Sequence, residues 1–192
     1  MQLTKGHIFE GRYRIQGELG RGGFGMVYKA YQVGMDRHVA LKVLNPEINA
    51  QAARTARERF LREVRIISKL RHPNTVTIHD FGETVDGMVY MVLEYVDGET
   101  LKDVLKRRGA LDEARAMEIG KQIAKSLSEA HRHGIIHRDL KPANIMLTEL
   151  GGEKDFVKVL DFGVARLRGG RTNDNPDLTS VGLPEGEREL IG

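Results

Sequence analysis

Asp139, Asn144 and Asp161 are the residues whose types and spacing first suggest chemistry. Asp139 and Asn144 sit in the string His137-Arg138-Asp139-Leu140-Lys141-Pro142-Ala143-Asn144, and Asp161 opens Asp161-Phe162-Gly163. Oxygen donors carried on turns suit a hard cation such as Mg²⁺, and an ionised carboxylate can accept the proton of a hydroxyl. Tripeptides of Asp and Gly are common in turns, but the eight-residue string is far more specific.

A second group lies upstream. Gly20-Arg21-Gly22-Gly23-Phe24-Gly25 fits G-x-G-x-x-G, a weak signal alone in a chain with 22 glycines, where a plain flexible hairpin loop would look the same. Context separates the readings. A dinucleotide cradle needs a helix after its glycines, whereas Met26-Val27-Tyr28-Lys29-Ala30 reads as a strand. Glycines at a hairpin tip let backbone amides approach phosphate oxygens unobstructed, so the sequence predicts a nucleotide lid.

Val39-Ala40-Leu41-Lys42 places Ala40 and Lys42 on one strand face and Val39 and Leu41 on the other. A strand lysine ordinarily snorkels to solvent. Glu63 argues otherwise, because helical spacing puts it on the apolar stripe of Phe60 and Ile67, with Glu58 on the opposite face. A carboxylate on a core-facing stripe needs a cation, and Lys42 is the expected partner.

Those residues need elements to hold them. Tyr13, Ile15 and Leu19, and again Val39, Leu41 and Val43, follow strand alternation, with a turn at residues 34–37. A helix is expected from about Gln51 to Leu70, ended by His72-Pro73-Asn74. Met88 to Leu93 reads as a buried strand. Asp112 caps a second helix to about His133, stopped by Gly134, with Ile119, Ile123, Leu127 and Ala130 buried. Ile135-Ile136, Ile145 to Leu147 and Val157 to Leu160 read as short strands. Periodicity disappears after Arg166, and residues 168–192 read as a mobile stretch.

Composition excludes several classes. The 192 residues carry a net charge of +3 with acids and bases interleaved, which is not the basic stripe of a nucleic-acid binder. Absence of cysteine removes disulfides, thiolate catalysis and Cys-ligated zinc. No apolar run reaches the roughly 20 residues of a spanning helix, and no signal-peptide core opens the chain. The expected location is cytoplasmic.

From Tyr13 onward these motifs resemble the eukaryotic-like protein kinases, in particular the bacterial serine/threonine kinases. The resemblance implies an α+β, bilobal fold, with an antiparallel-sheet N-lobe at residues 1–95 and a mainly helical, incomplete C-lobe at 96–192. It implies ATP and Mg²⁺ as cofactors and protein Ser/Thr hydroxyls as acceptors, with trans-autophosphorylation as a further partner event. Gly20, Arg21, Gly22, Gly23, Phe24 and Gly25 would cover the phosphates, followed by Met26. Lys42, held by Glu63, would contact phosphate; Asp139 would be the catalytic base and Lys141 would steady the γ-phosphate. Asn144 and Asp161 would hold Mg²⁺. Leu19, Val27, Ala40 and Met146 would sandwich the adenine, with Leu93 as gatekeeper and the backbones of Glu94 and Val96 on its edge. Lys141 favours serine or threonine over tyrosine acceptors. Ile67, Ile78, His137 and Phe162 match the apolar stack between lobes, and Arg138 suggests regulation through a loop carrying Thr172, Thr179 and Ser180.

The family pattern is expected to continue beyond Asp161-Phe162-Gly163 through elements not found before Gly192, so the chain reads as an N-terminal fragment with exposed apolar surface. A nucleotide-binding regulatory module, inert for want of the distal C-lobe, is the alternative. A small-molecule phosphotransferase on a related fold is disfavoured by Arg138 and Lys141-Pro142.

Overall fold

Alternating apolar residues build the first half of the chain into a sheet. The computed structural model describes residues 3–22, 25–44 and 50–162. Strands β1 (Ile8–Phe9), β2 (Tyr13–Gly22), β3 (Gly25–Gln32), β4 (Arg37–Leu44), β5 (Ile78–Glu83) and β6 (Val89–Glu94) form one antiparallel sheet in the order β1-β2-β3-β4-β6-β5. One face packs Tyr13, Ile15, Tyr28, Val39, Leu41 and Val92 under Leu3 and Phe9. Helix α1 (Ala50–Ile67) packs on the other face, where Phe60 and Val64 meet Val89 and Met91.

The second half holds a smaller sheet, β7 (Gly98–Thr100), β8 (Ile145–Leu150) and β9 (Glu153–Val159), with helices α2 (Leu101–Arg108) and α3 (Glu113–Arg132). Its core joins Ile119 and Ala130 to Ile145, Val157, Val159 and Phe162, and also takes Ile67 and Leu70 from the first half. The architecture is α+β and bilobal. Asp112 caps α3 by accepting the Arg115 N–H at 2.9 Å, and Gly134, at φ 71°, turns the chain away.

Several expectations shift. Helix α1 stops at Ile67, short of Leu70, because the Lys69 and Leu70 amides bond the carbonyls of Ile66 and Ile67 in tight turns that tuck Leu70 into the core. Residues 135–136 form no strand: the Ile135 N–H folds back on the Ala130 carbonyl, and Ile136 faces solvent. Leu19 is 49% exposed, since the β2–β3 register slips between Ile15 and Gly17 and again between Glu18 and Gly20. Helix α2 and strands β5 and β7 emerge only here, although Leu101, Val104 and Leu105 carry helical spacing behind the Thr100 cap. Gly23, Phe24, Gly163, Thr172, Thr179, Ser180 and the remainder of the chain to Gly192 lie outside the described residues.

The segment after α1 belongs to both halves. Val76 donates to the Val159 carbonyl at 3.0 Å and Val159 to that of Asn74 at 2.7 Å. The Asn74 amide reaches Gln122 on α3 and the Val157 carbonyl, and the Thr75 and Ser126 hydroxyls meet at 2.7 Å, fully enclosed. Buried polar groups need such partners. The sequence marked this segment only as a helix stop.

Candidate active site

Register decides which side chains share the cleft. Across the first sheet Val27 stands opposite Lys42, Lys42 opposite Met91, and Ala40 opposite Leu93. Directly opposed residues point to the same face, so Val27, Ala40, Lys42 and Leu93 line the face on which α1 packs. Met26 opposes Val43 and packs against the other core, so its side chain turns away from that face. The glycine run forms the β2–β3 hairpin tip, with Gly22 opposite Gly25. A Cβ on Gly25 would stand 2.0 Å from the Val43 carbonyl oxygen, and its φ is +131°, whereas one on Gly20 would meet nothing within 4 Å. Gly25 is therefore required by the fold itself, and Gly20 faces open space. The Arg21 guanidinium donates to the Met26 sulfur.

Lys42 does not snorkel. It is 5% exposed, and its Nζ bonds Asp161 Oδ1 at 2.6 Å. Glu63 lies half-buried on the α1 face shared by the buried Phe60 and Ile67, while Glu58 is exposed.

The string from His137 to Asn144 is laced to the strand leading into Asp161. His137 is buried; its Nε2 lies 2.7 Å from the Leu160 carbonyl oxygen, and its Nδ1 accepts the Asp139 N–H at 3.3 Å. Those two partners require the proton on Nε2. The His137 and Phe162 rings meet at a tilt of 52° with centroids 4.7 Å apart, and Ile67 and Ile78 join Phe162 in one core. Leu160 donates to the Asn144 carbonyl. Lys141 Nζ reaches both Asp139 oxygens at 3.0 and 2.7 Å, and Asn144 Nδ2 donates to the Asp139 carbonyl and to Oδ2. Committing Nδ2 in this way leaves Oδ1 as the acceptor of the Asn144 amide. The Lys141 hydrogen bond, aided by Asn144, holds the Asp139 carboxyl below the usual carboxylate range despite the opposing effect of burial. It is an anion at neutral pH, suited to orienting a hydroxyl.

Two non-glycine residues here have positive φ, Arg138 at 63° and Asp161 at 54°. Such conformations persist where surroundings over-determine them, and the His137 and Lys42 bonds supply that constraint. A model described as protein kinase domain matches residues 13–181. The chain belongs to the protein kinase domain family. It is 43% identical over 180 residues to the serine/threonine-protein kinase pkn3 of Myxococcus xanthus, covering 94% of this chain and 32% of that protein. Against the serine/threonine-protein kinase PknJ of Mycobacterium tuberculosis the identity is 39% over 181 residues, covering 94% and 29%. Among solved structures, a point mutant of the kinase domain of M. tuberculosis PknI superposes with a TM-score of 0.71 at 35% identity, over 85% of this chain and 63% of that one. This kinase-domain chain thus spans about a third of the curated relatives' length.

In this kinase domain β6 ends at Glu94, where the chain passes from the first sheet to the second. The Glu94 N–H donates to the Thr77 carbonyl at 2.9 Å, so any backbone contact from Glu94 to a base must use its carbonyl. Val96 follows in the loop, half-buried, and Met146 opposes Lys158 on the second sheet. The Glu94 carboxylate is itself engaged, accepting from Lys158 Nζ and from the Thr77 N–H. Sequence reading passed over Lys158. A cation flanked by the fully buried Val157 and Val159 was the available signal.

Proposed function

We propose that this chain transfers the γ-phosphoryl group of ATP to serine and threonine hydroxyls of proteins. The observation that carries the reading is the convergence of Lys42 on Asp161 at 2.6 Å, beside the Asp139, Lys141 and Asn144 cluster. Kinship with proteins named serine/threonine-protein kinases supports it. Residues 1–95 are read as the N-lobe and 96–192 as the C-lobe portion.

In this reading Gly20, Gly22 and Gly25 bring backbone amides over the phosphates, and Lys42, steadied by Asp161 and Glu63, meets them with charge. Val27, Ala40, Leu93 and Met146 enclose the base, whose edge meets the Glu94 carbonyl and the Val96 backbone. Asn144 Oδ1 and the Asp161 carboxylate are hard oxygens that fit Mg²⁺, with phosphate and water completing the shell. Bound there, the ion would neutralise charge on the phosphates. Among the described residues no cluster of three or more His, Cys, Asp or Glu side chains could hold a metal alone. Asp139 orients the acceptor hydroxyl and takes its proton, and Lys141 offers its ammonium to the transferred group. Phosphoryl transfer in kinases proceeds through a loose transition state, so positioning and electrostatics supply most of the catalysis.

Acceptors are protein Ser and Thr side chains, including those of a second copy in trans. A reaction consuming ATP fits the cytoplasm, and no helix among the described residues is long and apolar enough to cross a membrane. Transfer of radiolabelled phosphate from ATP to a basic protein, lost in Asp139→Asn with Mg-ATP binding retained, is the expected result. Mg-ATP binding without transfer to any protein would overturn the kinase reading and leave a nucleotide-binding regulatory module.

A further inference from the structure

Lys158 is a half-buried cation that the proposed chemistry does not use. It lies on β9 between Val157 and Val159, both fully buried, and so projects from the opposite sheet face. Its cross-strand partner is Met146. From there its ammonium crosses to the other half of the molecule and meets both Glu94 oxygens, at 2.7 and 2.9 Å. The two side chains are 12% and 28% exposed. Partial burial of this kind weakens solvent screening and strengthens the pair relative to a surface bridge.

Glu94 is doubly held. Its carboxylate accepts the Thr77 N–H at 3.2 Å while its own N–H donates to the Thr77 carbonyl at 2.9 Å. The peptide at the end of β6 is thereby pinned from two directions, and the third attachment is Lys158. His79 lies in the same neighbourhood, beside Arg37 at 3.4 Å; burial first and then Arg37 push its imidazole down, Glu94 opposes them, and Lys158 adds a smaller downward push.

We propose that Lys158 is a positioning residue for the purine base: through Glu94 it sets that residue's carbonyl against the cleft floor at Met146. The inference rests on the kinase reading above. The strand carrying Lys158 ends at Val159, two residues before Asp161, the partner of Lys42. Losing the Lys158 and Glu94 pair should misplace the base contacts without touching the groups that face phosphate.

Binding of adenosine and of Mg-ATP to the 192-residue chain tests this by calorimetry, since adenosine reports the base contacts alone. Lys158→Met is expected to weaken both ligands by the same factor, about 5- to 10-fold, each tenfold step corresponding to about 1.4 kcal/mol. Lys158→Arg, which keeps the charge and can bond both Glu94 oxygens, should recover most of the loss. Asp161→Asn is the contrast and should weaken Mg-ATP while sparing adenosine. Should Lys158→Met fail to fold, Glu94→Gln gives the same reading, with an amide that still accepts from Thr77 but pairs poorly with the ammonium. Adenosine bound as tightly by Lys158→Met, or by Glu94→Gln in its stead, as by the parent chain overturns the inference and leaves the kinase reading standing. A parent chain that binds adenosine but not Mg-ATP, or neither, overturns the kinase reading and this inference with it.

Discussion

Lys42 Nζ stands 2.6 Å from Asp161 Oδ1, joining residues 119 positions apart in the chain and tying the first sheet to the end of the second. A nearly buried ammonium is expensive to leave unpaired. The contact therefore fixes the separation of the two lobes at the point where phosphate is expected to bind. Lys42→Met should remove the thermal stabilisation given by Mg-ATP and lower phosphoryl transfer by roughly 10²- to 10³-fold, as for loss of one preorganised electrostatic contact. Asp161→Asn should cost a similar factor, and the double variant far less than the product. A thermal melt with and without Mg-ATP, paired with a transfer assay, checks all three; independent, multiplying losses would show that the two residues do not act as a unit.

The glycines of the hairpin tip divide into two kinds. Gly25→Ala forces a Cβ onto the Val43 carbonyl at a positive φ, and should destabilise the fold by about 1–3 kcal/mol or more, the range for overpacking. Gly20→Ala meets no atom and should leave the urea midpoint nearly unchanged. Under the proposed function its methyl intrudes where phosphate approaches, so weaker Mg-ATP binding is expected with an unaltered melt. Equal loss of stability in both variants would contradict the distinction.

Thr75 and Ser126 share a hydroxyl–hydroxyl hydrogen bond at 2.7 Å inside the junction of the two halves. Thr75→Val keeps the shape but strands the Ser126 hydroxyl, with an expected cost of about 1–3 kcal/mol. Ser126→Ala removes the orphan, so the double variant should be more stable than Thr75→Val alone. Equilibrium urea unfolding of the four species measures the coupling; additive effects would mean that the pair contributes nothing jointly.

Glu129 on α3 accepts the backbone N–H groups of Arg71 at 3.0 Å and His72 at 2.9 Å. Burial alone pushes its carboxyl up, but these two hydrogen bonds, with the charges of His72 and His133, outweigh it and hold the carboxyl below its ordinary value. A depressed folded-state pKa contributes stability that is present above the unfolded-state value and fades as pH falls through the folded-state value. Glu129→Gln should therefore cost about 1 kcal/mol at neutral pH, the scale of a partly exposed charged hydrogen bond. The gap to the parent chain should close in acid below the ordinary carboxylate range. Melting curves from neutral to acidic pH check this, and a gap that widens in acid would reverse the sign.

Residue types and local order were enough to identify the motif residues, because strand alternation, helix stripes and capping are local properties of the chain. Asp112 and Gly134 bound α3 as their chemistry requires, and Phe60, Val64 and Ile67 are buried as their spacing demands. The string from His137 to Asn144 identified itself, since its side chains mostly bond one another or the nearby Leu160 carbonyl. Tertiary structure decided what joins distant segments. It set the close meeting of Lys42 with Asp161, the Glu94 and Lys158 pair between the two sheets, and the attachment of residues 74–76 to β9 and α3. It also turned Met26 away from the face of Lys42 and ended α1 at Ile67. Those outcomes depend on sheet register and on which buried charge finds which partner, and neither is encoded in the periodicity of a single segment.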